Sequence, residues 1–174
     1  MSTAPDAHGI SSVAELLTIA YRIEADAVER YTMLAEQMQQ HNNTELVKVF
    51  RDLARAEGIH AEEIRRQAGT IDVVERALQS PWKKGESPEE ADLGDAHYLM
   101  TPWHALQMAL AGEERALDYF QSIVDTASDP KIKEMAEEFV EEEAEHVNLV
   151  HRLLRKYPAP PASWSEDSDP PNQA

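Results

Sequence analysis

Cysteine is absent from this 174-residue chain. That removes disulfides, thiolate zinc sites, iron–sulfur clusters and cysteine nucleophiles together, so any metal must be held by oxygen and nitrogen. Positive charge is scarce: 16 Lys and Arg stand against 33 Asp and Glu, a formal charge of -17. A nucleic-acid backbone is bound by neutralising it with basic side chains, so nucleic acid is excluded as a natural partner, whereas such a surface attracts cations. No run of about 18 apolar residues is present, which excludes a membrane-spanning helix. Met1–Ile10 lacks the basic start and apolar block of a secretory signal, and a soluble cytoplasmic protein is expected. The length suits one domain with a full-sized core.

What is there is helical periodicity. Ser12 and Glu15 fit a capping box, and Val13, Leu16, Leu17, Ala20, Ala27, Tyr31, Leu34 and Met38 recur at helical spacing, predicting a helix over 12–41. His41-Asn42-Asn43 forms a turn, and Asn43 caps a second helix with Leu46, Phe50, Leu53, Ala61 and Ile64 on its apolar face, ending near Gly69. Between Gly69 and Met100 a short helix around Ile71, Val73, Val74 and Leu78 precedes a stretch broken by Pro81, Gly85, Pro88 and Gly94. These roughly thirty residues can cross the length of a helix of about 40 Å, so an overhead connection is expected. Thr101-Pro102 starts a third helix, through Leu106, Leu110, Leu117, Phe120 and Val124, that stops near Ala127. The Ser128-Asp129-Pro130 turn opens a fourth, with Met135, Phe139, Val140, Val147, Val150 and Leu154 inward, ending at Tyr157-Pro158. The expected fold is all-α: a four-helix bundle over 12–157 made of two hairpins with a long crossover connection. An N-terminal tail (1–11) and a Pro-, Ser- and Asp-rich disordered tail (158–174) flank it.

Two Glu-x-x-His pairs, Glu57 with His60 and Glu143 with His146, lie inside helical patterns. Residues three apart share one helix face, so each pair can reach one ion. One such pair by itself is an ordinary surface feature of an acidic helix. Here each hairpin adds a glutamate on the apolar stripe of its other helix, Glu24 and Glu113. Counted from Asn42, Glu24 lies 18 residues back, and Glu57 and His60 lie 15 and 18 forward; counted from Ser128, Glu113 lies 15 back, and Glu143 and His146 lie 15 and 18 forward. All six fall at one height of a bundle, the arrangement of a dinuclear metal site. Four unpaired buried carboxylates would each cost several kcal/mol, and two divalent cations match them in charge. Mixed carboxylate and imidazole ligands favour iron, with manganese, zinc or cobalt as other occupants.

Tyr31, two helical turns after Glu24, is the candidate catalytic residue, its hydroxyl placed to hydrogen-bond a ligand carboxylate. Phe120 holds the matching place after Glu113 without a hydroxyl. Glu62, Glu63, Glu138 and Glu141 suit a solvated face. His104 and His151 fall off the site stripe and suit half-buried helix positions, and His8, His41 and His97 fit tails and loops. A slip of one residue would bring Glu114 and Glu145 to the site, but the stripe argues against it.

At these residues the chain resembles the ferritin-like superfamily, most closely the rubrerythrin family, over about 12–157. The motifs are Glu24 to Tyr31 in Glu-Ala-Asp-Ala-Val-Glu-Arg-Tyr, Ala56-Glu57-Gly58-Ile59-His60-Ala61, Ala111-Gly112-Glu113 and Glu142-Glu143-Ala144-Glu145-His146. The resemblance implies a ferritin-like bundle with two non-haem iron ions, Glu57 and Glu143 bridging, Glu24 and Glu113 terminal, and His60 and His146 as nitrogen ligands. It implies a homodimer and an oxidoreductase or ferroxidase acting on O2 or hydrogen peroxide. Members commonly carry a four-cysteine iron domain that this chain lacks, so an external electron donor is expected. Members also carry a further glutamate at the position of Ala116. An iron-handling or storage role, or an oxygenase or manganese catalase on the same bundle, are the alternatives.

Overall fold

The structure is a computed structural model that describes residues 10–79 and 100–163. Five helices follow in order: α1 (Val13–Gln40), α2 (Thr44–Ala68), α3 (Val73–Leu78), α4 (Pro102–Thr126) and α5 (Pro130–Leu154). No strand occurs among the described residues, and no described helix is long and apolar enough to cross a membrane. The crossover expected over 80–99, with Trp82-Lys83-Lys84, lies outside the described residues, as do 1–9 and the tail beyond 163.

The helix ends follow local chemistry. Ser12 accepts from Glu15 N at 3.1 Å, as an N-cap should. The capping box expected there is only half formed, because the Glu15 carboxylate turns one residue further back, to Ser11 N (2.6 Å) and Ser11 Oγ (3.0 Å). The α1–α2 turn closes through Asn42 at a φ of 55°, a left-handed conformation that asparagine tolerates. Asn43 then caps α2, accepting from Leu46 N at 3.0 Å. Gly69, at a φ of 61°, ends α2. Thr101 caps α4 in a full capping box whose returning partner is His104, with Nδ1 accepting from Thr101 N at 3.2 Å. That bond gives His104 a structural place away from the site stripe. Asp129 caps α5.

The closest helix packing lies within the hairpins α1–α2 and α4–α5. The start of the connector is itself folded: α3 packs on α1, burying Val73 and Ala77. Arg22 donates to Ala77 O (3.1 Å) and Arg76 to Thr18 Oγ1 (3.2 Å) across this contact. The core is two apolar clusters. One gathers Leu16, Leu17, Ala20, Ile23, Ile64, Val73, Phe120, Ile132 and Phe139, and the other Tyr31, Leu34, Met38, Leu46, Phe50, Leu106, Val150 and Leu153. In every long helix the residues between the two levels include one glutamate that faces inward.

Candidate metal centre

Each of those glutamates is carried inward by its helix's apolar face. Glu24 follows Ile23 on the buried side of α1, and Glu57 lies between Leu53 and Ala61 of α2. Glu113 lies between Leu110 and Ala116 of α4, and Glu143 between Phe139 and Val150 of α5. All four are at most 2% exposed, which is rare for glutamate without a compensating partner.

The structure brings all six sequence-predicted positions together. Ligand-type atoms of Glu57, His60 and His146 lie within 4.8 Å of one another, and the same holds for Glu113, Glu143 and His146. His146 Nδ1 stands 3.0 Å from Glu57 Oε1, 3.5 Å from Glu113 Oε2 and 3.8 Å from Glu143 Oε2. His60 Nδ1 stands 3.4 Å from Glu57 Oε2. The two imidazoles face each other, with ring centres 5.8 Å apart and planes 15° apart.

Closeness is not satisfaction here. Glu24 Oε1, both Glu57 oxygens, Glu113 Oε2, His60 Nδ1 and His146 Nδ1 are buried with no hydrogen-bond partner among the described residues. Leaving one such group unpaired costs about 1–3 kcal/mol, more for charged groups. Two ligands of one ion, each at about 2.1 Å, stand roughly 3–4 Å apart. The orphaned imidazole nitrogens stand 3.0–3.5 Å from the orphaned Glu57 and Glu113 oxygens, and this oxygen and nitrogen chemistry suits a first-row divalent metal. The residues fit a dinuclear centre.

Burial and the charges of neighbouring side chains shift the titration of all six residues. Burial, then the Glu143 and Glu57 carboxylates, hold Glu24 well above the usual carboxylate range. Burial pushes Glu143 up to about 8 against the His146 imidazole, with the Glu113 carboxylate helping. Burial acts on Glu57 and Glu113 in the same sense but is outweighed. The His146 and His60 imidazoles hold Glu57 below its ordinary value, and His146 with Arg30 does so for Glu113. His146 is raised despite its burial by Glu113, Glu143 and Glu57, and His60 is raised chiefly by Glu57.

Three residues to which the sequence reasoning gave no role of their own shape the site. Arg30 is buried, with Nη2 3.2 Å from Glu113 Oε1 and its guanidinium carbon 4.6 Å from the Tyr31 ring centre. Tyr31 donates its hydroxyl to the same Glu113 oxygen. Gly112 makes room: a Cβ there would come 2.3 Å from Arg30 Nη1. Glu142, the third, stands with Oε2 3.9 Å from His60 Nδ1. The matching of four carboxylates by two divalent cations therefore omitted a buried positive charge. Arg30 lies on the Ile23, Ala27, Leu34 stripe, and glycine inside a helix signals close approach; both signals were available in the sequence.

The remaining candidates lie where expected, except that His151, expected half-buried, is exposed because it faces outward from the last turn of α5. Glu114 and Glu145 are exposed, as are Glu62, Glu63, Glu138, Glu141, His41 and His151. His151 Nε2 pairs only loosely with Glu114, at 3.9 Å. Phe120 stacks on Phe139, ring centres 4.9 Å apart, away from the carboxylate layer.

The rubrerythrin family's sequence model matches residues 15–93. A solved structure, an uncharacterized conserved protein from Magnetospirillum magnetotacticum MS-1, is 34% identical with a TM-score of 0.71, covering 86% of this chain and 98% of that one. The chain belongs to the rubrerythrin family. No curated protein matches it. Family membership makes it a ferritin-like protein of the diiron class, and the Glu and His groups present are of the kind that binds metal.

Proposed function

We propose that the chain is a non-haem diiron oxidoreductase that reduces O2 or hydrogen peroxide, with Glu24, Glu57, His60, Glu113, Glu143 and His146 as the metal ligands. The observation that carries this reading is the set of orphaned, buried carboxylate and imidazole atoms at ligand separations from one another. The resemblance to the rubrerythrin family implies that Glu57 and Glu143 would be shared between the two ions, with Glu24 and Glu113 each serving one.

When bound, two iron ions would supply the electrons that reduce the oxidant, to be replenished by an external donor. The protein's own part is to position and to exclude. Tyr31 and Arg30 hold one oxygen of Glu113 and leave Oε2 toward the site. Tyr31 touches Glu113, so it acts by positioning that carboxylate. The two apolar clusters above and below the layer keep bulk water from the carboxylates and strengthen every charge interaction between them. Glu143 and Glu24, both held above the usual range, are the acids most ready to hold protons beside the site.

The test is metal content per chain, by element, on protein purified without added metal or chelator, followed by anaerobic Fe(II) loading and mixing with O2 or peroxide. About two irons per chain and oxidation on mixing support the reading. No stoichiometric metal after Fe(II) loading refutes it. Oxidation that continues to many irons per chain favours storage instead.

A further inference from the structure

The centre has a wet end and a dry end. Side-chain exposure falls from 40% at Glu142 and 22% at His60 through 13% at His146 to 0% at Glu113. At the dry end Arg30 places a fixed positive charge against Glu113. At the wet end Glu24, His60 and Glu142 each offer a ligand atom, all within 4.8 Å of one another. Glu24 Oε1 is buried there without a hydrogen-bond partner, so the trio contains an unsatisfied acceptor as well as a cluster of acids.

We propose that Glu142 is a seventh metal-binding residue and a fifth carboxylate, which with Glu24 and His60 forms the outer landing position through which divalent cations enter the bundle. The inference rests on the dinuclear reading of the six inner residues. Two physical arguments carry it. First, a cation approaching from the Arg30 side meets a positive charge in a low-dielectric core, whereas one approaching from the Glu142 side meets a carboxylate already half in water. Second, Arg30 offsets one of the four inner carboxylate charges, and Glu142 restores the total that two divalent ions neutralise. Glu142 also exchanges one water-facing oxygen for a metal contact at less desolvation cost than a fully buried acid.

The experiment is rapid mixing of the metal-free full-length chain with Co(II), followed by its visible absorption, for wild type, Glu142→Gln and Glu145→Gln. Glu145 lies on the same helix, is exposed, and its substitution changes net charge by the same amount. In Glu142→Gln we expect two Co(II) at saturation, with uptake slowed about tenfold, one ion held about tenfold more weakly, and an altered spectrum for that ion. Glu145→Gln is expected to stay within about twofold of wild type in rate, because an exposed charge is screened by salt. Identical rates, affinities and spectra for the two variants would overturn the role of Glu142 while leaving the inner site intact. Failure of the wild type itself to take up Co(II) would overturn the dinuclear reading, and this inference with it.

Discussion

Arg30 occupies the space that a side chain at position 112 would need: a Cβ on Gly112 would lie 2.3 Å from Arg30 Nη1. The guanidinium has nowhere cheap to go, since it is buried and held against Glu113. Gly112→Ala is therefore expected to destabilise the protein by about 1–3 kcal/mol. In an Arg30→Met background the same change should cost less than half as much, because the clash has lost its partner. Urea unfolding of the four proteins checks this; equal costs in both backgrounds would show that the contact is not the reason.

Glu57→Ala and Glu143→Ala are expected to lose the metals, whereas Tyr31→Phe should keep both. Tyr31→Phe removes only a donor to Glu113, worth about 0.5–1.5 kcal/mol net. Removing a buried acid also relieves repulsion, so metal-free Glu143→Gln should melt above metal-free wild type, a trade of stability against function. Metal analysis and thermal melts decide it, and two metals on Glu57→Ala would refute the ligand assignment.

Metal binding should release protons and strengthen as pH rises. Glu24 and both imidazoles are raised, and Glu143 is raised to about 8. A raised group contributes stability that is complete below its ordinary pKa and lost as pH rises through the folded value. For Glu143 the contribution is complete below about 4.5 and disappears as pH passes about 8. Metal-free protein should thus melt lower at about pH 9 than at about pH 6, while metal affinity changes in the opposite sense. Glu57 and Glu113, which are lowered, lose their contribution only in acid, outside this window. A metal-free melting temperature that rises between those two pH values would contradict the assignment.

Phe120 sits apart from the ligand layer, stacked on Phe139. Phe120→Ala should cost about 3–5 kcal/mol yet leave metal stoichiometry unchanged in the protein that remains folded. Calorimetry with metal analysis on the same sample tests both halves of that expectation.

Much of this molecule was legible before its structure, because its helices are bounded by local chemistry. Asn43, Gly69, Thr101 and Asp129 end or begin helices through bonds to residues two to four positions away. The six inner site residues were legible for a related reason: in a hairpin, distance from the turn gives height in the bundle. What escaped was set by contacts between elements. Arg30 lies on the apolar stripe of α1, but its partner Glu113 and the space over Gly112 that receives it belong to another helix. Glu142 is one of three consecutive glutamates, and only the neighbouring His60 distinguishes it from Glu141. The Glu15 carboxylate chose Ser11 over Ser12, a difference of one residue between equally polar donor sites.

The sandwich of an acidic layer between two apolar clusters also has a meaning for how the chain finds its alignment. Sliding one hairpin along the other by a single turn, about 5.4 Å, would push carboxylates of one half among the leucines and phenylalanines of the other. Oily surfaces alone tolerate such slippage, as uniform apolar seams in coiled coils do, and a single buried polar position is enough to forbid it. Glu24, Glu57, Glu113 and Glu143 thus act as an index mark, selecting one alignment of four helices out of several that would bury similar apolar area.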